Sequence, residues 1–331
     1  MSVTAEIRTG SDGRPLVEYQ FNVHPDMQDL LDAKLAVPKT QKPGEMRSGW
    51  NSYGARLSQP YPEGMKVEDI HFACPGAGRD GRIPVRVYRP KGVASPAPVV
   101  FYFHGGAFIK GSLDSGDTVA WGIPDQAGCI GVSVDYRLAP ENPFPCGPED
   151  CYAAVKHVAE HGAQYGMDGT RIALWGDSAG GNMAAATCLM ARDRGGPKIA
   201  GHAIVYGALT DDLSAESYKR FADTLVPTAS IDRAWNAYLG KGRPTTNGYA
   251  APLKAKDLSR LPPAFVHYAE IDVLADDSIA YAARLKEAGN DVTLRCAKRM
   301  IHGFTRARFG GPDAAAEYAA ACGFIKKVLR T

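Results

Sequence analysis

One short stretch of this chain concentrates residues that could do covalent chemistry. In LWGDSAGGN, Gly176, Ser178 and Gly180 satisfy a G-x-S-x-G pattern, with an apolar run before it and an Ala-rich run after it. Alone, that pattern reads as an ordinary Gly-rich turn; between a strand and a helix it reads as a nucleophile turn. A serine there occupies strained backbone, and the flanking glycines remove side chains that would collide as the turn closes. Its hydroxyl then stands out at the sheet end. The first amides of the helix, Ala179's among them, point the same way and favour negative charge on a reacting oxygen. This is the equipment for acyl transfer.

Acyl transfer needs a second set of donors, a base and a carboxylate. FYFHGGAF places His104 74 residues before Ser178, at the exit of an apolar run. Its consecutive glycines let backbone N–H groups approach a ligand, so Gly105 and Gly106 are candidate oxyanion donors. Serine is a weak nucleophile until a base takes its proton, and histidine is the usual base. Of eight histidines, His302 in RMIHGFTR has the right setting, after the last predicted strand and beside Gly303. His24, His71, His157, His161, His202 and His267 read as surface or core residues, and His104 as support for its own loop. The imidazole needs an acid to fix its tautomer. Asp272 follows the strand PAFVHYAEI, 94 residues after Ser178 and 30 before His302. Glu270 is the alternative acid, while Asp276 and Asp277 read as helix N-terminal charges. The chain order Ser, Asp, His is that of α/β-hydrolases and excludes a trypsin-like mapping of GDSAGG.

The elements that must position these groups alternate. Residues 82–90 alternate polar and apolar, whereas 97–103 and 129–136 are continuous apolar runs suited to strands buried on both faces. Further strands are expected at 171–176, 202–207, 263–271 and 292–297, and helices from about 148, then at 179–194, 278–289 and 314–330. This rhythm predicts an α/β fold with a mainly parallel sheet covered on both sides. Residues 1–60 hold short helical patterns around Leu30, Leu31 and Leu35, and residues 209–248 interrupt the alternation with amphipathic material such as SIDRAWNAYLG. These two pieces are expected to form a cap over a catalytic domain at 61–208 and 249–331.

Composition limits the alternatives. The 331 residues are 45% hydrophobic and 22% charged, and 38 basic against 36 acidic residues leave a net charge of +2. No long-range field is available for nucleic acid or an anionic membrane. The opening residues carry no basic-then-apolar leader and no apolar run approaches the ~20 residues of a bilayer span; a cytoplasmic location is expected. Seven cysteines without a C-x-x-C pair read as reduced core residues, and neither Cys146 nor Cys151 has the neighbours of a metal site.

HGGAF, VDYRLAPE, GDSAGGN, DVLADD and HGF, in that order over roughly residues 70–330, resemble the hormone-sensitive-lipase-like (bacterial family IV) carboxylesterases of the α/β-hydrolase superfamily. The resemblance implies an eight-stranded, mainly parallel sheet with a helical cap, and hydrolysis of short acyl esters through an acyl-enzyme without cofactor or metal. It maps Ser178, Asp272 and His302 onto the catalytic triad, and Gly105, Gly106 and Ala179 onto the oxyanion hole. Phe108, Trp235, Tyr238 and Phe304 are the aromatic candidates for the pocket wall. Asp135, Arg137 and Glu141 are expected to form ion pairs behind the site. Family members often pair through the last strand, so a homodimer is a further expectation. Two departures stand out: Ala107 replaces the third glycine of HGGG, and Val273 the proline of D-P-L. An amidase or peptidase would share every motif, and a ligand receptor could use the same scaffold, although here all three triad positions are filled.

Overall fold

The computed structural model describes residues 20–37, 40 and 42–330; the first nineteen residues of the expected N-terminal cap piece lie outside the described residues. Strands form at Lys66–Ala73 (β1), Arg82–Arg89 (β2), Ala97–Phe103 (β3), Ile130–Val134 (β4), Met167–Asp177 (β5), Gly201–Val205 (β6), Ala264–Ile271 (β7) and Val292–Ile301 (β8). They make one sheet of order β1-β2-β4-β3-β5-β6-β7-β8. β1 and β2, and β2 and β4, run antiparallel, and every other neighbouring pair is parallel. The continuous apolar runs occupy the centre, where β4 and β6 are buried along their whole length, as strands covered on both faces must be. The alternating β8 is an edge strand with every second residue of its first half exposed or nearly so.

The long helices fall where the sequence places them: Cys146–His161 (α5), Ala179–Asp193 (α6), Ala275–Glu287 (α9) and Pro312–Val328 (α10), with α1–α4 at Gln28–Leu35, Pro43–Arg56, Leu113–Ala120 and Gly122–Ala127 and α7–α8 at Glu216–Arg220 and Thr228–Leu239. Helices α3 and α4 are not apparent from periodicity. Gly116, Gly122 and Pro124 dilute their pattern, and a local device starts α3 instead: Ser112 and Ser115 cap one another's backbone amides reciprocally.

Ion pairs lock the loop after β4. Arg137 clasps Asp150 of α5 through Nε and Nη2 at 2.8 and 2.7 Å, and the same buried carboxylate accepts the Gly78 amide at 2.7 Å. Asp135 pairs with Arg79 at 3.1 Å, and Glu141 with Arg47 of α2 at 2.6 Å. Arg47 also donates to the carbonyls of Ile109 and Ala139, so α2 is tied to both loops of this rim. On the other side Asp277, buried in the first turn of α9, accepts the Leu209 and Thr210 amides and the Tyr218 hydroxyl. It therefore fixes the start of the 209–248 segment, and is more than the helix-terminal charge expected of it. Burial pushes its carboxyl up to about 8. The N-terminal residues meet that segment, with the Phe21 and Phe221 rings edge-on at 5.1 Å.

Truncating Asp150 leaves a guanidinium and two amides, those of Gly78 and Arg137, without their acceptor. Because Arg137 keeps 20% side-chain exposure, Asp150→Ala should cost about 2–3 kcal/mol, below the full penalty of breaking a buried pair. Urea unfolding followed by circular dichroism measures it; a change under ~0.5 kcal/mol would mean the pair is mere surface decoration.

Candidate active site

Strand β5 passes into α6 with Ser178 as the single residue between them, at φ 58° and ψ −121°. That conformation is rare for a residue with a side chain and persists only where its surroundings enforce it. Here they do. A methyl group on Gly176 would sit 1.9 Å from the Gly180 carbonyl oxygen, and one on Gly180 would sit 1.9 Å from the Phe103 carbonyl oxygen. Both glycines are thus required by close backbone approach. The Ser178 amide donates to the Val205 carbonyl at 2.9 Å, anchoring the turn to β6.

His302 stands one residue beyond β8, and Gly303 at φ 91° turns the chain into a 3-10 helix at Phe304–Ala307. Its Nε2 lies 3.0 Å from Ser178 Oγ, and its Nδ1 lies 2.8 Å from Asp272 Oδ2. With Nδ1–H donating to the carboxylate, Nε2 is left to accept the serine proton. Asp272 is 1% exposed, and its other oxygen accepts the Leu274 amide at 3.1 Å. Glu270 points elsewhere: it takes the Arg299 amide at 2.7 Å and pairs with Lys298 at 3.1 Å, which hold its carboxyl below the usual range. Tyr206, absent from the sequence reading, lies against His302 with ring centroids 4.6 Å apart and bonds Thr305 through its hydroxyl.

The loop after β3 runs beside this turn because β3 and β5 pair in register, Phe103 against Gly176. His104 is buried, stacked on Tyr136 at 4.4 Å and bonded through Nδ1 to the Gly105 carbonyl at 3.0 Å. Burial lowers its pKa, keeping it a neutral support for the loop. Gly105 departs from expectation. Its amide donates to Asp177 Oδ1 at 3.1 Å, an oxygen that also receives the Tyr102 hydroxyl at 2.5 Å. The amides of Gly106, Ala107 and Ala179 donate to no other described residue, so they, and not Gly105, are the donors available beside Ser178.

These groups open on a cavity of about 100 Å³. Ser178, His302, Gly106 and Ala107 form its floor, Trp50 and Tyr53 come from α2, and Leu225, Val226, Pro227 and Ile231 from the 209–248 segment. The four expected wall residues do not line it. Phe108, Trp235 and Tyr238 pack on one another, with Phe108 and Tyr238 stacked at 4.2 Å, and Phe304 is buried against Tyr206 and His267. The aromatic face of α8 is spent on closing the core, which leaves its Ser230 and Ile231 for the cavity. Nothing in their residue types marked Trp50, Tyr53 or Leu225 as lining residues; only the helical spacing of the early leucines hinted that this region lies on something.

Known proteins resemble the chain over most of its length. Residues 100–306 match a family model described as alpha/beta hydrolase fold. The chain is similar to carboxylesterase NlhH of Mycobacterium tuberculosis, 42% identical over 83% of this chain and 88% of that protein. It is similar to esterase LipI of the same organism at 40% identity over 74% and 77% of the two chains. A thermostable esterase from Pseudomonas putida superimposes with a TM-score of 0.87 at 31% identity, covering 93% of this chain and 98% of that one. The chain belongs to the hormone-sensitive-lipase-like family of α/β-hydrolases, a family of carboxylic ester hydrolases. No described helix is long and apolar enough to cross a membrane.

Ala107 adopts φ 55°, where a side chain is strained and glycine is not. Ala107→Gly should therefore raise the unfolding free energy by about 0.5–1 kcal/mol, the relief of left-handed strain less the added freedom of the unfolded chain. Thermal and urea unfolding test this; a destabilised variant would show that the Ala107 methyl group packs more than it strains.

Proposed function

We infer that this ester hydrolase works as a serine carboxylesterase on short acyl esters, with Ser178 as nucleophile, His302 as general base and then acid, and Asp272 as the group that orients His302. The observation carrying this reading is the unbroken hydrogen-bond chain from Asp272 through His302 to Ser178 at the floor of the cavity. As Ser178 Oγ attacks the ester carbonyl, its proton passes to His302 Nε2, and the Asp272 carboxylate stabilises the imidazolium. The amides of Gly106, Ala107 and Ala179 receive the oxyanion, aided by the N-terminus of α6. The alcohol leaves with the proton from His302, and water repeats the sequence in reverse to free the acid.

Short acyl groups suit a cavity of about 100 Å³. The N-terminal helices and the 209–248 segment act together as the cap, since both contribute walls to that cavity.

Ser178→Ala should lower kcat on 4-nitrophenyl acetate by about 10⁴-fold or more. Asp272→Asn should lower it by about 10³–10⁴-fold, because the imidazole loses its tautomer, whereas Glu270→Gln should stay within about threefold. Steady-state kinetics on the purified, folded variants decide the matter. Equal losses for the two acid variants would remove Asp272 from its role.

A further inference from the structure

Three cations line the same cavity, and the two lysines among them, both partly buried, have no anion of the described residues beside them. Lys34 of α1, Lys110 of the loop after β3, and Arg306 beyond His302 all line it. The two ammonium groups lie over the Trp50 ring, Lys34 at 4.8 Å and Lys110 at 4.5 Å from its centroid, and the Arg306 guanidinium lies 5.3 Å from it. Neither lysine ammonium pairs with a carboxylate among the described residues. Burial and its cationic neighbours Lys110 and Arg306 lower Lys34 to about 7, and burial with Arg233 lowers Lys110 to about 8. The carboxylate lining the cavity, Asp177, is already held by Tyr102 and Gly105, and its charge is opposed by Arg306. Two donors of these lining residues, Nε1 of Trp50 and Nη2 of Arg306, are buried behind the cavity surface without a hydrogen-bond acceptor.

A cluster of like charges on a partly desolvated wall is unfavourable, and it is relieved either by loss of a proton or by a group of opposite charge that keeps the lysines ionised. Trp50 offers each ammonium the face of a ring, which stabilises a cation without neutralising it. A packing role alone would call for the stems of these lysines; it gives no reason to gather both charges and Arg306 around one ring beside the nucleophile. Resting on the hydrolase reading above, we propose that the ester this enzyme selects carries a carboxylate, bound by Lys34 and Lys110 at the Trp50 ring while Ser178 attacks the ester carbonyl. The cavity admits a small anion, and the carboxylate is the smallest organic one that an ester can carry on either its acyl or its alcohol half.

The test uses two matched pairs of esters: 4-nitrophenyl hydrogen succinate against 4-nitrophenyl 4-methylpentanoate for the acyl half, and 3-carboxyphenyl acetate against 3-isopropylphenyl acetate for the alcohol half. Wild-type enzyme should favour the anionic member of one pair by at least about tenfold in kcat/KM, as expected for charge-assisted hydrogen bonds. The favoured pair identifies the half that carries the charge. In the Lys34→Met, Lys110→Met double variant the anionic-to-neutral ratio should fall by about tenfold or more, and Lys34→Arg with Lys110→Arg should retain most of it. Turnover of the neutral esters with no anionic preference in either pair would overturn the proposal and leave the hydrolase reading intact, and so would a preference that survives the loss of both lysines. No turnover of any of the four esters would instead overturn the hydrolase reading, and the carboxylate proposal with it.

Discussion

The geometry of this protein depends on one close contact, the Gly180 Cα against the Phe103 carbonyl, with Gly176 equally close to the Gly180 carbonyl. Because no side chain intervenes, β5 can become α6 across a single residue, and that residue must then adopt the left-handed φ seen at Ser178. The same contact brings the end of β3 against the turn, so the Gly106 and Ala107 amides emerge beside the hydroxyl. Hydroxyl and amide donors are therefore set by backbone packing in the sheet, which is the most rigid part of the fold.

Around that fixed turn, polar groups divide between those the fold satisfies and those it leaves open. Asp177 is consumed by Tyr102 and Gly105, Asp150 by Arg137 and Gly78, and Asp277 by the start of the 209–248 segment. These carboxylates hold loops in place and have little capacity left for a ligand. The open groups lie together around Ser178 and its cavity: three backbone amides and, over the Trp50 ring, two lysine ammonium groups. Binding sites concentrate unmet polar demand in this way, whereas cores avoid it.

Much of this was legible in the sequence because it is encoded locally. Apolar runs marked the buried strands, and G-x-S-x-G between a strand and a helix marked the turn, since only glycine survives a backbone approach of that kind. Position after a strand was enough to single out His302, and it placed Asp272 past the strand that ends beside Glu270. What the sequence hid is set by tertiary packing. Phe108, Trp235 and Tyr238 look like pocket residues by type, yet they face one another. Lys34, Trp50 and Lys110 have no spacing that announces them, because they meet only when α1, α2 and the loop after β3 are brought together. The engagement of the Gly105 amide by Asp177 likewise could not be read from two adjacent glycines.

The central claim is that Ser178 is made nucleophilic by His302 and Asp272. The most direct measurement is reaction of the folded enzyme with a fluorophosphonate, followed by mass spectrometry of the intact protein and of its peptides. The account predicts one adduct per chain, carried on Ser178 and lost when His302 is replaced by alanine. A folded enzyme that stays unmodified, or one that carries its adduct on another residue, would contradict it.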